Sequence, residues 1–294
     1  MNKNYFLAVA KYEDENKQHF FDNVVSKRNK EYCEKHGIEY LEVTENIYPI
    51  RGKLGWFKMF KAVEVLNNIL QEGDGLIYLD ADALIVNTDS VLLPPNNKSF
   101  AYSIDTANTH CMGFFSLYKN EWSSKLMNLI IDENRYKNLI DVVSFHEVKK
   151  TDSSFWQEFY DQASFYSIAG IIRHSNISFW ELPNYGWHSE KNEWTAYEVN
   201  ELKKNVHVFP SRYNVTELPG ESACINYINY VQNDEVVIRH FAGAQKWRKA
   251  WLNTNSIYFK VMKYNLLNST TQYKIKSFYR KARGFVKSKL KKFF

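Results

Sequence analysis

The sequence predicts an α/β fold with a mixed, mainly parallel, Rossmann-like sheet flanked by helices. Three observations carry that reading. Strand-like and helix-like segments alternate through the first 80 residues, the pattern of βαβ units. The runs YFLAVA (5–10) and LIYL (76–79) are mostly apolar rather than alternating, as in strands covered on both faces. Finally, LIYL runs directly into two aspartates, Asp80 and Asp82, where an open parallel sheet binds its ligands.

The elements follow in order. After the first strand, FDNVVSKRNKEYCEKHG (21–37) has apolar positions at helical spacing and ends on a glycine stop. IEYLEV (38–43) reads as a second strand, and Lys58 to Leu70 as a second amphipathic helix. The turn Gly73-Asp74-Gly75 then bounds a third strand, LIYLD. SFAYSID (99–105) and MGFFSLY (112–118) read as strands, and EWSSKLMNLIID (121–132) and SSFWQEFYDQASFYSI (153–168) as helices. The stretch 177–197 is aromatic, polar and punctuated by Pro and Gly, which suits a loop lining a cleft. EVVIRHFAG (235–243) is a late strand entering a turn. With no repeat and no long linker, the chain divides into one domain over 1–255 and a tail over 256–294.

Composition narrows the class. At 294 residues, 45% apolar and 24% charged, the chain resembles a soluble globular protein. Three cysteines without C-x-x-C spacing argue against a disulfide framework or a thiolate zinc site. No run reaches the roughly 18 apolar residues of a membrane span, and the N-terminal run is too short for a secretory core. A cytoplasmic protein is expected, so the Asn-x-Ser/Thr sequons carry little weight. The net charge of +5 conceals an asymmetry: residues 236–294 hold 15 Lys/Arg and no acid, which leaves 23 bases against 33 acids before them. An acidic body precedes a basic tail that asks for an anionic partner.

Two carboxylates at i and i+2 of an extended segment point the same way and repel unless a cation lies between them. Oxygen ligands favour a hard divalent ion, Mn²⁺ or Mg²⁺, with positions left open for phosphate oxygens. Two rival families use a similar aspartate pair. HAD-type phosphatases carry it after the first strand, followed by Thr or Val, whereas Ala83-Leu84 follows here. Nucleotidyltransferases carry a Gly-rich N-terminal signature that AVAKYEDEN lacks.

Five segments occur in one order over residues 50–250: GWFKMFKAVEVL, YLDADALIVN, NTHCMGFFSLYKNEWSSKL, EFYDQASFY and RHFAGAQKW. Together they resemble the Trp-x-Lys helix, D-x-D motif, glycine-aromatic strand, Asp-Gln pair and C-terminal histidine motif of glycosyltransferase family 34, of GT-A fold. That resemblance implies roles. Asp80 and Asp82, with Ala81 between them, match the pair that holds the metal and the sugar-nucleotide diphosphate. His240 matches the third metal ligand. Asp161 and Gln162 match the pair at the reacting centre, and Lys58 matches a donor contact. Lys246 matches the lysine on the diphosphate; one extra residue separates it from the glycine, so Arg248 and Lys249 stand as alternatives. Asn108, Met112 and Gly113 would shape the acceptor side. The chemistry of the residue types agrees, because a cation and a lysine stabilise a departing diphosphate and a carboxylate or amide oxygen stabilises an oxocarbenium-like sugar.

The tail segment 273–294 has apolar residues at roughly helical spacing with nine Lys/Arg between them, the pattern of a basic amphipathic helix at an anionic membrane surface. Nucleic acid is a less fitting partner. The expected protein is thus a metal-dependent hexosyltransferase, peripheral to the inner face of a membrane. The resemblance implies transfer with retained configuration; a galactose-like hexose is the first candidate, from a UDP-sugar before a GDP-sugar, with UDP-linked hexosamines and GDP-mannose left open. The acceptor would be a surface glycan or lipid-linked saccharide. Two alternatives stand beside it: a non-catalytic glycan-binding relic of the fold, and a phosphotransferase using the same carboxylates.

Overall fold

The computed structural model describes residues 2–10, 15–44, 54–95, 97–106, 110–132, 161–169, 196–216 and 235–241. Most of the expected cleft loop (177–197), Asn108, Lys246, Arg248, Lys249 and the tail 256–294 lie outside the described residues.

Strands without polar alternation need cover on two sides, and β1 (Asn4–Val9) has it. Tyr5, Leu7 and Val9 enter one apolar cluster, Phe6 and Ala8 the other. β3 (Gly75–Leu79) divides the same way, with Leu76 and Tyr78 on the first face and Ile77 and Leu79 on the second. These strands lie in a six-stranded sheet with β2 (Glu39–Val43), β5 (Phe100–Ile104), β6 (His110–Tyr118) and β7 (Val206–Phe209). The order is β2-β1-β3-β6-β5-β7. β1–β2, β1–β3 and β5–β7 pair in parallel, while β6 is antiparallel to both neighbours. The mainly parallel sheet expected from the sequence is therefore present, with β6 as its one reversed strand.

Helices cover both faces. α1 (Glu15–Phe20), a π-helical turn (Phe21–Val25) and α2 (Ser26–His36) run on without a break in helical dihedrals. Gly37 ends α2 in the left-handed region at φ 62°, the glycine stop the sequence signalled. On the opposite face lie α3 (Leu54–Asn68), α4 (Glu121–Ile131) and α5 (Asp161–Ala169). α3 buries Trp56, Phe57, Met59 and Leu66 there, and each fully buried Phe, Met or Leu contributes about 1.5–3 kcal/mol. A capping box between Asn120 and Ser123 starts α4. A short α6 (Val199–Asn205) leads into β7. Among the described residues no helix is long and apolar enough to cross a membrane.

The sequence did not reveal a second, three-stranded sheet, β4 (Ala83–Ile85), β9 (Ile238–His240) and β8 (Val215–Thr216), in the order β4-β9-β8. Leu84, Ile85 and Val86, apolar residues directly after the aspartates, are buried with Val215 and Ile238 in the second cluster. This small sheet brings the end of the chain to the tip of β3.

Candidate metal centre

The two aspartates meet by a route other than the expected one. β3 stops at Leu79, and the Ala83 amide donates to the Asp80 carbonyl at 2.8 Å, closing a turn. Asp80 ends one sheet and Asp82 precedes the first strand of the other, so they do not share one extended segment. Ala81, expected at the donor, is buried in that turn at 5% exposure. The turn is needed because β3 and β4 belong to different sheets.

β4 pairs antiparallel with β9, placing Ala83 opposite His240, and the Phe241 amide donates to the Asp82 carbonyl at 2.8 Å. Backbone pairing thus delivers His240 to the aspartates. Its Nε2 lies 3.2 Å from Asp82 Oδ1 and 3.8 Å from Asp80 Oδ2. One donor atom from each of the three residues lies within 4.8 Å of the others. Ligands around a small divalent ion at about 2.1 Å are about 3 Å apart when adjacent and about 4 Å apart when opposite. The two distances fall in that range, and two carboxylates with one imidazole fit Mn²⁺ or Mg²⁺ with coordination positions to spare.

The electrostatics point the same way. Burial opposes a charge on His240, but the Asp82 carboxylate and its hydrogen bond, helped by Asp80, outweigh it and raise the imidazole well above its usual 6.5. Two carboxylates at this spot favour a positive charge, whether a ring proton or a divalent cation.

β6 supplies the floor. Its pairing with β3 is regular, but against β5 the register jumps: Tyr102 faces Phe115, and Ser103 faces Cys111. Residues 112–114 therefore bulge out of the β5 ladder beside Asp80, whose amide donates to the Gly113 carbonyl at 2.8 Å. A Cβ on Gly113 would lie 2.7 Å from His240 Cε1 and 2.9 Å from Asp80 Oδ2. Only glycine fits between the strand and these two side chains. Gly113, expected on the acceptor side, thus lies under Asp80 and His240.

The bulge explains where Lys58 and Gln162 go. Met112 lacks β5 partners, and its backbone groups are taken by side chains instead. Lys58 Nζ donates to the Met112 carbonyl at 3.2 Å, and Gln162 Oε1 accepts from the Met112 amide at 3.2 Å. Lys58 Nζ also donates to Asp80 Oδ1 at 3.1 Å and pairs with Asp161 Oδ2 at 3.3 Å. Burial works against the Lys58 charge, but Asp161 and then Asp80 hold its pKa above the ordinary lysine value. Lys58 therefore ties the D-x-D aspartate to the Asp-Gln pair. Gln162 donates its amide to the Tyr166 hydroxyl at 2.9 Å, and Tyr166 donates on to the His110 carbonyl.

Two contributors escaped sequence reasoning. The Tyr78 hydroxyl donates to Asp80 Oδ1 at 2.8 Å; two residues before Asp80 on one strand, it was legible from the period of two. Asn214, whose Oδ1 lies 2.9 Å from His240 Nδ1, carried no such signal.

Neither a protein-family model nor a curated protein matches the sequence. Solved structures do. A glycosyltransferase involved in the glycosylation of the major capsid of the virus PBCV-1 aligns over 84% of this chain and 96% of its own, with a TM-score of 0.50 and 12% identity. The apo-form glycosyltransferase GlyE of Streptococcus pneumoniae aligns over 92% of this chain and 64% of its own, at TM-score 0.41 and 10% identity. Mouse xyloside xylosyltransferase 1 aligns over 81% and 97%, at 0.37 and 9%. The strand order, the helical cover and the first of these alignments together give this chain a GT-A-type glycosyltransferase fold.

Proposed function

We propose that this protein is a divalent-metal-dependent glycosyltransferase that moves a hexose from a nucleotide-diphosphate sugar to a saccharide acceptor. The observation that carries the reading is the meeting of Asp80, Asp82 and His240 at the carboxyl end of β3, on this fold. Mn²⁺ or Mg²⁺ held by Asp80, Asp82 and His240 would supply positive charge to stabilise a departing diphosphate. The protein's own residues do the rest. Lys58 holds Asp80 and Asp161 at fixed distances on one side of the centre. Asp161 is buried, and its Oδ2 is held by Lys58 Nζ at 3.3 Å. Its carboxylate also suits an oxocarbenium-like sugar. Gln162 keeps the Met112 backbone at the rim. The family resemblance supports transfer with retention, with a galactose-like hexose on UDP as the first donor to test.

The basic segment 273–294, with its nine Lys/Arg, supports a further part of the reading: attachment to the cytoplasmic face of an anionic membrane, where a lipid-linked saccharide is the acceptor. Lys246, or in its place Arg248 or Lys249, is the diphosphate contact in this scheme.

The test is a thermal-shift panel of sugar nucleotides with Mn²⁺, followed by hydrolysis and transfer assays on the best donor. Binding and turnover should need the metal and collapse in Asp82→Ala. Full turnover in EDTA would remove the metal assignment. Glycan affinity without nucleotide binding would show a non-catalytic relic, and a phosphorylated or dephosphorylated product without a glycoside would show a phosphotransferase. Sedimentation with anionic vesicles, with and without residues 273–294, tests the membrane part.

A further inference from the structure

The side of His240 facing away from the aspartates is as closely controlled as the side facing them. A 3₁₀ turn (Ser211–Tyr213) ends at Asn214, whose amide donates to the Ser211 carbonyl at 2.9 Å. β8 begins at the next residue and runs parallel to β9, with Thr216 opposite His240. Two further bonds lock turn and strand together: Val237 N–H to the Arg212 carbonyl at 2.9 Å, and Arg239 Nη1 to the Val215 carbonyl at 3.0 Å. Asn214 is therefore fixed by its backbone and only 1% exposed. Its Oδ1 lies 2.9 Å from His240 Nδ1.

We infer that Asn214 is a positioning residue that keeps the imidazole proton of His240 on Nδ1 and so leaves the Nε2 lone pair to a divalent cation. This rests on the reading of Asp80, Asp82 and His240 as an ion site. A neutral imidazole carries one ring proton, and only the unprotonated nitrogen can ligate. A carbonyl oxygen can only accept, so it selects the tautomer with the proton on its own side. Nε2 is the nitrogen that lies among the carboxylates, 3.2 Å from Asp82 Oδ1. The ring has little other freedom, because Cε1 sits over Gly113, where even a methyl group would come within 2.7 Å. Asn214 thus sets which nitrogen is available, and Gly113 sets how near the ring lies to Asp80. Partners of this kind behind a ligating histidine typically change metal affinity by 10–100-fold when lost.

The experiment uses the full chain. Nitrogen chemical shifts of the imidazole are recorded on the metal-free protein at alkaline pH, where the ring is neutral, and Mn²⁺ affinity is measured by calorimetry. The wild type should show His240 protonated at Nδ1. Asn214→Leu should lose that preference and bind Mn²⁺ about 10–100-fold more weakly. Asn214→Asp, which keeps an acceptor at the same place, should retain the Nδ1–H tautomer and lose less affinity than Asn214→Leu. An Nε2–H tautomer in the wild type overturns the inference whether or not Asn214→Leu folds. A folded Asn214→Leu protein with wild-type Mn²⁺ affinity overturns it as well. Failure of the wild type to bind any divalent cation would instead sink the ion-site reading, and with it the inference, whatever the tautomer.

Discussion

Adding one methyl group under the candidate metal centre should loosen it without replacing any of its proposed ligands. In Gly113→Ala the new Cβ would stand 2.7 Å from His240 Cε1 and 2.9 Å from Asp80 Oδ2. Carbon atoms rest at about 3.5–4.0 Å, so the ring must retreat by roughly 0.8 Å or more. It cannot do so freely, because Asn214 holds Nδ1 at 2.9 Å and the side chain is 7% exposed. Metal–ligand distances tolerate about 0.2 Å. The displacement exceeds that several-fold, and Mn²⁺ affinity should fall about 10–100-fold, which is about 1.4–2.7 kcal/mol. The overpacked strand should also cost about 1–3 kcal/mol of stability. Calorimetric titration with Mn²⁺ and urea unfolding read the two effects separately. Gly37→Ala is the control: nothing lies within 4 Å of its Cβ, but φ is +62°. It should cost about 1 kcal/mol of stability through backbone strain alone and leave Mn²⁺ affinity unchanged. A folded Gly113→Ala protein with wild-type affinity and turnover would refute the reasoning that β6 is the floor of the site.

Three other outcomes are expected. His110 is buried beside the Tyr102 hydroxyl, and burial lowers its pKa from 6.5 to about 4, so the unfolded chain binds its proton first. Its contribution is full above pH 6.5 and lost as pH falls toward 4, about 3 kcal/mol in all; urea unfolding of His110→Gln should show a flatter pH dependence in that window. Lys58→Met strands the Asp80 and Asp161 carboxylates and should cost about 3–5 kcal/mol; adding Asp161→Asn should recover part, and an additive double mutant would contradict the coupling. Gln162→Leu leaves the Met112 amide without its acceptor and should cost about 1–3 kcal/mol in urea unfolding; Gln162→Glu should cost less, and equal losses would argue against that bond.

Much of the sheet was legible because local patterns decide it. β1 and β3 are mostly apolar runs, as central strands require, β6 was legible as a strand, and α2 carries its own glycine stop. The candidate centre was legible in part. Asp80, Asp82 and His240 were identifiable as residue types at strand ends, and they do converge. Their route together was not, because the turn after Asp80 serves a second sheet whose strands are only two or three residues long. Such strands leave almost no periodicity to read.

By itself, the sequence determined the alternation of strands and helices, the two-sided burial of the central strands, and an acidic pair at the end of β3. Those follow from side-chain hydrophobicity at short range along the chain. Tertiary structure alone decided the three-residue bulge of β6, the ion pairs of Lys58 with both Asp80 and Asp161, and the pairing of His240 with Asn214. Each depends on strand register, and register is fixed only when segments far apart in sequence bury their apolar faces together.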